Sequence, residues 1–212
     1  GTGSLGDMGC HLMDVPIKAL GLFDPYSVEA SISRLPYVRS YTPADVSSSS
    51  VPASSIVTYR FNPSKLNDSK VKFTWMDGGL RPSQPDQIKE DIGVGGILIY
   101  GEKGIISCND YGTRAKLYID GEVVETGQFD GIPSNSFNHY TSWVEAMVDG
   151  YGSDKHKNLN SGFDVAGPIS EVVLLGNVAV RSGLLKRSPR SNVFIGRKRL
   201  DYDSKNMVIT NF

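Results

Sequence analysis

Six short runs in which β-branched and aromatic residues alternate with polar ones fill the middle of the chain, and they limit its fold more than any other feature. In a strand, alternate side chains point to opposite faces, so each run predicts one buried face and one face toward water. Glycine turns at 101–104 and 120–121 separate some of the runs. The predicted strands are 28–35, 55–61, 71–76, 95–100, 104–108 and 115–119.

Predicted helices lie at both ends of the chain. Apolar residues at three- and four-residue steps predict a first helix that stops near Gly21. Pro16 removes a helical hydrogen bond, so this helix should kink or end near Val15. The sequence also predicts two further helices, 136–148 and 167–181, and edge strands at 193–195 and 207–212. The helix 167–181 should be buried, with Pro168 in its first turn.

This order of elements predicts the α+β class: an open, mainly antiparallel or mixed β-sheet with helices on one face. At 212 residues the chain fits a single domain, 1–212. The other sheet face needs a cover, and we expect a homo-oligomer formed through it.

Composition excludes several classes of partner. Lys and Arg total 22 against 23 Asp and Glu, so no net positive charge recruits nucleic acid or an anionic membrane. The longest apolar run, within 172–180, is too short to span a bilayer. Cys10 and Cys108 are expected to be free thiols, and without CxxC or HxxxH spacing no metal site is expected. No secretion signal is visible, which leaves both a cytoplasmic and a periplasmic location open.

Asp7 and His11 are the candidate catalytic residues. Four residues apart on a helix, they project from one face and can meet the same small molecule. A histidine exchanges protons near neutral pH, and a carboxylate can orient it or the substrate. The alternative is structural: Ser4 and Asp7 form a capping box, and His11 is hydrogen-bonded at the edge of the core.

Asp14 and Trp75 are candidate substrate-binding residues. Asp14 follows Asp7 and His11 on the polar stripe of the first helix. Trp75 stands beside an Asp77-Gly78 turn, where it is either hairpin structure or a platform on which a sugar ring stacks. Two predicted loops, 42–55 and 82–92, are long, and such loops often border binding sites.

The glycines at 93–96 do not make a dinucleotide-binding loop. That loop must follow a strand and open a helix, whereas a predicted strand follows here. Leu98 also occupies the place of the third glycine in the fingerprint. We therefore predict no nucleotide-binding site within this chain.

Four segments in order resemble the carboxy-terminal domain of the glucose-fructose oxidoreductase, inositol dehydrogenase and MocA (Gfo/Idh/MocA) family, in its bacterial-type branch. They are GDMGCHLMD at 6–14, FTWMDGGL at 73–80, GEKG at 101–104 and, most specific, AGPISEVVLLGN at 166–177. The resemblance runs almost end to end. It implies the C-terminal fold of two-domain oxidoreductases of the glyceraldehyde-3-phosphate-dehydrogenase type.

The resemblance also implies a function. The family pairs such a domain, which supplies the substrate pocket and usually the oligomer interface, with a Rossmann domain that binds NAD or NADP. Its D-x-G-x-H pattern falls on Asp7, Gly9 and His11. His11 would accept a proton from a sugar or polyol hydroxyl as hydride leaves for the nicotinamide, Asp7 would orient the substrate or imidazole, and a lysine of the nucleotide domain would polarise the reacting oxygen.

The chain starts a few residues before Asp7, so we expect the N-terminal Rossmann domain to be absent from it. Hydride transfer by this chain alone is not expected, because the cofactor needs its own binding fold. Two alternatives stay open. One is an NAD-dependent glycosidase of the same family, and the other is a non-catalytic binding or dimerisation module.

Overall fold

The computed structural model describes residues 2–33, 51–124, 138–182, 185–187, 189–190 and 194–211. Its described helices are α1 (Gly3–Leu12), α2 (Asp14–Leu20), α3 (His139–Asp149), α4 (Asp154–Lys157) and α5 (Phe163–Ser182). Its strands are β1 (Pro25–Ile32), β2 (Ser55–Phe61), β3 (Val71–Met76), β4 (Ile97–Tyr100), β5 (Ile105–Cys108), β6 (Lys116–Ile119), β7 (Glu122–Val124), β8 (Leu185–Arg187), β9 (Phe194–Arg197), β10 (Leu200–Asp203) and β11 (Val208–Ile209).

In the described part of the chain the strands form three antiparallel units, so the α+β class is confirmed and the prediction of one open sheet is wrong. A five-stranded sheet has the order β11-β10-β1-β2-β3, a four-stranded meander runs β4-β5-β6-β7, and β8 pairs with β9. The connection 77–96 lies between the first two sheets in sequence, and part of it lines one cleft together with β3 and β4. Those two strands do not pair.

The five-stranded sheet packs its apolar face against α5 and α1. Along β2 the buried positions alternate, ending with Val57, Tyr59 and Phe61, which are fully buried. Gly176 of α5 lies directly over the Tyr59 hydroxyl, and Leu5 of α1 lies beside both. The main core therefore lies between one sheet face and helices α1, α2 and α5, and a second, smaller cluster contains Ile88, Ile105 and Tyr118.

The alternating pattern located the strands well. The ranges predicted for β2 and β3 are confirmed at both ends, and β4 to β6 begin one or two residues late. Strand β1 begins at Pro25, three residues before the prediction. The predicted loop 82–92 is a loop, while 42–50 of the other predicted loop lies outside the described residues.

Two predictions about helix ends are wrong. Pro168 is the sixth residue of α5 rather than part of its first turn, because the helix begins four residues earlier than predicted. The capping box also fails: the N-cap of α1 is Thr2, without a side-chain cap, and Ser4 is inside the helix. The break near Pro16 falls at Met13, and the left-handed Gly21 ends α2 as predicted.

The outer face of the five-stranded sheet is polar. The register places Glu29, Thr58 and Thr74 side by side on it, and Arg60 pairs with Glu29 at 2.8 Å. The aromatic residues of β2 and β3 point to the helix side instead. The homo-oligomer through this face stays a prediction; beside its polar residues, the face carries one apolar cross-strand pair, Ile56 and Met76.

Helices α3 and α5 expose apolar side chains. In α3, Tyr140, Trp143, Val144 and Met147 form the predicted stripe, and more than half of each side chain is exposed. By length and composition alone, α5 could cross a membrane, yet its buried face packs on β1, β2 and α1 as in a core helix. Part of its opposite face is open to solvent.

The contact between α5 and β2 predicts different effects for two glycines of the same helix. In Gly176→Ala the new methyl group would overlap the Tyr59 hydroxyl and lie 2.8 Å from Leu5 Cδ2, so we expect a loss of about 1–3 kcal/mol. Gly167→Ala is the matched control, because nothing lies within 4 Å of its methyl position. It should stabilise the helix by about 0.5–1 kcal/mol. Urea unfolding measures both, and equal effects would contradict the packing described.

Candidate functional site

Helix α1 presents Asp7 and His11 to solvent. Its opposite side is anchored, because Leu5 is buried and a side chain at Gly9 would come within 3.4 Å of Val173 in α5. Asp7 and His11 stand one turn apart on the outer side, and both are exposed. The alternative that buries His11 at the edge of the core therefore does not hold.

Tyr111 lies against His11. It stands in the loop between β5 and β6, and its ring meets the imidazole edge to face with centroids 5.8 Å apart. The ring is 67% exposed. Within the described part of the chain His11 makes no hydrogen bond, so both imidazole nitrogens are accessible for a ligand.

Asp14 is held by a neighbour. Its carboxylate is 3.0 Å from the Lys18 ammonium, one turn further along α2, and Lys18 also donates to the Asn160 carbonyl at 3.2 Å. Although Asp14 begins α2, Met13 keeps a helical φ of -83° and ψ of -22°, and its N–H donates to the Gly9 carbonyl at 2.8 Å, so Asp14 continues the helical path of α1. The assignment of Asp14 to substrate binding stays a prediction.

Trp75 is built into the end of the sheet. Its ring is 7% exposed, and its indole N–H donates to the Asp77 carboxylate at 2.8 Å. The same carboxylate accepts from the Ser55 backbone N–H at 2.6 Å and from the Ser55 hydroxyl at 2.8 Å. This network joins β2 to β3 and leaves little of the ring for a ligand. The stacking role of Trp75 stays a prediction.

A cleft of about 930 Å³ lies between the two larger sheets. Trp75 and Leu12 are among its lining residues, whereas Asp7 and His11 are not. At its polar end Glu90 accepts hydrogen bonds from Lys116, at 2.7 and 2.8 Å, and from the buried Tyr118. The proposed catalytic pair therefore does not line the cleft that Trp75 lines, although Leu12, which follows His11, and Asn109 of the loop that carries Tyr111 do.

At the polar end of this cleft, the pKa values of Glu90 and Tyr118 differ from their ordinary values. Hydrogen bonds from Lys116 and then from Tyr118 lower the pKa of Glu90. Burial first, and then the bond to Glu90, raise the pKa of Tyr118. The stabilisation from Glu90 is thus present above its unfolded pKa of about 4.3 and is lost as the pH falls through the lower folded value.

Neither a metal nor a dinucleotide has an evident site in the described part of the chain. No three His, Cys, Asp or Glu side chains cluster there as metal ligands would, and Cys10 and Cys108 are free. The glycines at 93–96 lead into β4, and no strand, glycine-rich turn and helix follow one another there.

Sequence reasoning found Asp7 and His11 but missed Tyr111. The structure brings Tyr111 against His11, one turn from Asp7 on the same helix, and holds Trp75 in the hydrogen-bond network of Asp77. An aromatic residue inside the turn-forming sequence Asn109-Asp110-Tyr111-Gly112 was the available signal, since such a residue has no core to fill.

Comparison with known proteins adds no relative. No protein-family model matches this chain, and no curated protein matches it either.

The network around Asp77 predicts a structural role for that carboxylate. Asp77→Ala leaves the Trp75 and Ser55 donors without their acceptor, and we expect a loss of about 2–4 kcal/mol in the free energy of unfolding. Asp77→Asn is the matched control, because the amide keeps one acceptor oxygen. It should lose less, as measured by urea unfolding.

The hydrogen bond from Tyr118 predicts the titration of Glu90. Tyr118→Phe removes one of the two groups that lower this pKa, so the pKa of Glu90 should rise toward its ordinary value. An NMR titration of the Glu90 carboxyl carbon measures the change. Tyr100→Phe, on strand β4 of the same sheet, is the control and should leave the titration unchanged. A Glu90 titration unaffected by Tyr118→Phe would contradict the bond.

Proposed function

We propose that this chain is the substrate-binding part of an NAD(P)-dependent oxidoreductase that acts on a sugar, a polyol or a related hydroxy compound. One observation carries the proposal: a carboxylate and an imidazole stand one turn apart on the open side of a helix whose other side is fixed in the core. The resemblance at 6–14 supports the same assignment. The chain alone is expected to be inactive.

His11 is the proposed general base. Its imidazole is solvent-exposed and makes no hydrogen bond within the described residues, so it can accept the proton of a substrate hydroxyl. Asp7, one turn earlier, can orient either the imidazole or a second hydroxyl of the substrate. The buried side of α1 keeps both groups in register, because Leu5 and Gly9 are fixed against α5.

The cofactor, NAD or NADP, supplies the hydride acceptor when it is bound. In this proposal a separate nucleotide-binding domain holds it against the exposed side of α1. That arrangement fits a pair of polar groups that stays exposed on this helix, with Tyr111 as its neighbour from the described part of the chain. A substrate would then be enclosed only where the two domains meet.

Two alternatives remain. A glycosidase that uses NAD transiently needs the same base, and it differs only in releasing sugar without net reduction of the cofactor. A non-catalytic binding or dimerisation module is favoured by a separate observation, the exposed apolar stripe of α3. In that case Asp7 and His11 would have no catalytic role.

Replacement of His11 tests the proposal in the complete protein, with its nucleotide-binding domain. His11→Ala should lower kcat/KM for the hydroxy compound at least about a hundredfold, the scale of a lost general base. Because the side chain is exposed, the free energy of unfolding should change by less than about 0.5 kcal/mol. NAD(P)H formation measured by absorbance, with sugar release followed in parallel, separates the dehydrogenase from the glycosidase.

The matched control is His139→Ala, which removes another exposed histidine at the start of α3. It should retain full activity. If His11→Ala and His139→Ala behave alike, or if no sugar or polyol is turned over, the catalytic proposal is wrong. The dimerisation module then becomes the better assignment.

A further inference from the structure

The loop that carries Tyr111 is organised by one side chain. It comprises residues 109–115, between β5 and β6. The Asn109 side-chain oxygen accepts from the backbone N–H of Tyr111 at 3.1 Å and of Thr113 at 2.9 Å. Gly112 N–H donates to the Asn109 carbonyl at 2.9 Å. The loop is therefore ordered by its own hydrogen bonds, and little further ordering would be needed when a ligand binds.

The same loop is fixed against the break between α1 and α2. Gly112 has a φ of +68°, and a side-chain carbon there would lie 2.5 Å from Val15 Cγ2. On the other side, a side-chain carbon at Gly95 would lie 2.6 Å from Asp110 Oδ1. The loop is thus held between two segments, and only glycine allows this approach to α2.

This placement leaves a large aromatic ring in solvent beside the proposed base. Tyr111 contacts His11 edge to face, yet two thirds of its surface remains open. A tyrosine offers an apolar ring and a hydroxyl, which match the C–H groups and the hydroxyls of a carbohydrate. Asp7, His11 and Tyr111 together present a carboxylate, an imidazole and a phenol on one accessible surface.

We propose that Tyr111 is a substrate-binding residue that forms a second wall of the His11 site and packs its ring against the carbon skeleton of a sugar or cyclic polyol. This inference rests on the proposed function and names a contact that the residues of α1 alone cannot supply. The base comes from a helix and the binding surface from a loop about a hundred residues away in sequence.

The test compares Tyr111→Ala and Tyr111→Phe in the complete protein. A panel that includes D-glucose and myo-inositol is assayed for NAD(P)H formation, and the compound turned over best is used for all variants. Tyr111→Ala should raise KM about tenfold, the scale of one aromatic packing contact, and change kcat less than about threefold. Tyr111→Phe keeps the ring and should raise KM less. Tyr140→Ala, an exposed tyrosine of α3, is the control and should change neither constant.

A binding measurement separates this role from catalysis. In the His11→Ala background, adding Tyr111→Ala should weaken the calorimetric Kd for the same compound by about tenfold. Tyr111→Ala should leave the melting temperature unchanged, both in the otherwise unaltered protein and in the His11→Ala variant. A purely structural role of Tyr111 would lower the melting temperature and leave binding by the folded protein unchanged.

The outcomes distinguish this inference from the proposed function. If His11→Ala removes turnover while Tyr111→Ala leaves both KM and Kd within twofold of the starting values, the role of Tyr111 is overturned and the function stands. Equal effects of Tyr111→Ala and Tyr140→Ala overturn it as well. If no compound of the panel is turned over, or if His11→Ala keeps full turnover, the proposed function fails and the inference fails with it.

Discussion

The contact between Gly176 and the Tyr59 hydroxyl determines where the rest of this structure can lie. A glycine in the middle of α5 lets the helix approach β2 closely enough to cover a fully buried tyrosine. Burial raises the pKa of Tyr59, so its phenol stays neutral. Leu5 inserts at the same point, and α1 therefore takes its position from α5. The direction in which Asp7 and His11 project depends on this packing.

Local patterns predicted most of the secondary structure. The ranges of β2 and β3 are correct to the residue because their alternation is strict; one face of β2 is fully buried, and the corresponding face of β3 is partly buried. The same patterns could not predict the division into two sheets. That division depends on whether β3 pairs with β4, and the long connection 77–96 stands between these two strands in the sequence. Strand pairing across a long connection is not encoded in the periodicity of either strand.

Prediction of the site from sequence is limited in the same way. The spacing of Asp7 and His11 was enough to place both on one helix face, because helical geometry is local. The contact with Tyr111 was not predictable, since it joins segments that only the folded loop 109–115 brings together. Trp75 illustrates the opposite case. From the sequence, an aromatic residue beside a glycine turn could be a surface on which a sugar ring stacks. In the structure, Trp75 and Ser55 both donate hydrogen bonds to Asp77, and these bonds connect β3 to β2.

The proposed base is on α1 and the proposed binding residue is on the loop 109–115, and this separation has an evolutionary consequence. The helix is tied to the hydrophobic interior, so most changes to it would also affect folding. The tip of the loop is ordered mainly by its own hydrogen bonds to the Asn109 side chain, and at Gly112 the loop comes close to Val15. Such a tip can accept new side chains, or a longer insertion, without disturbing the scaffold. Descendants of this sequence could thus acquire new selectivity while keeping the same histidine in place.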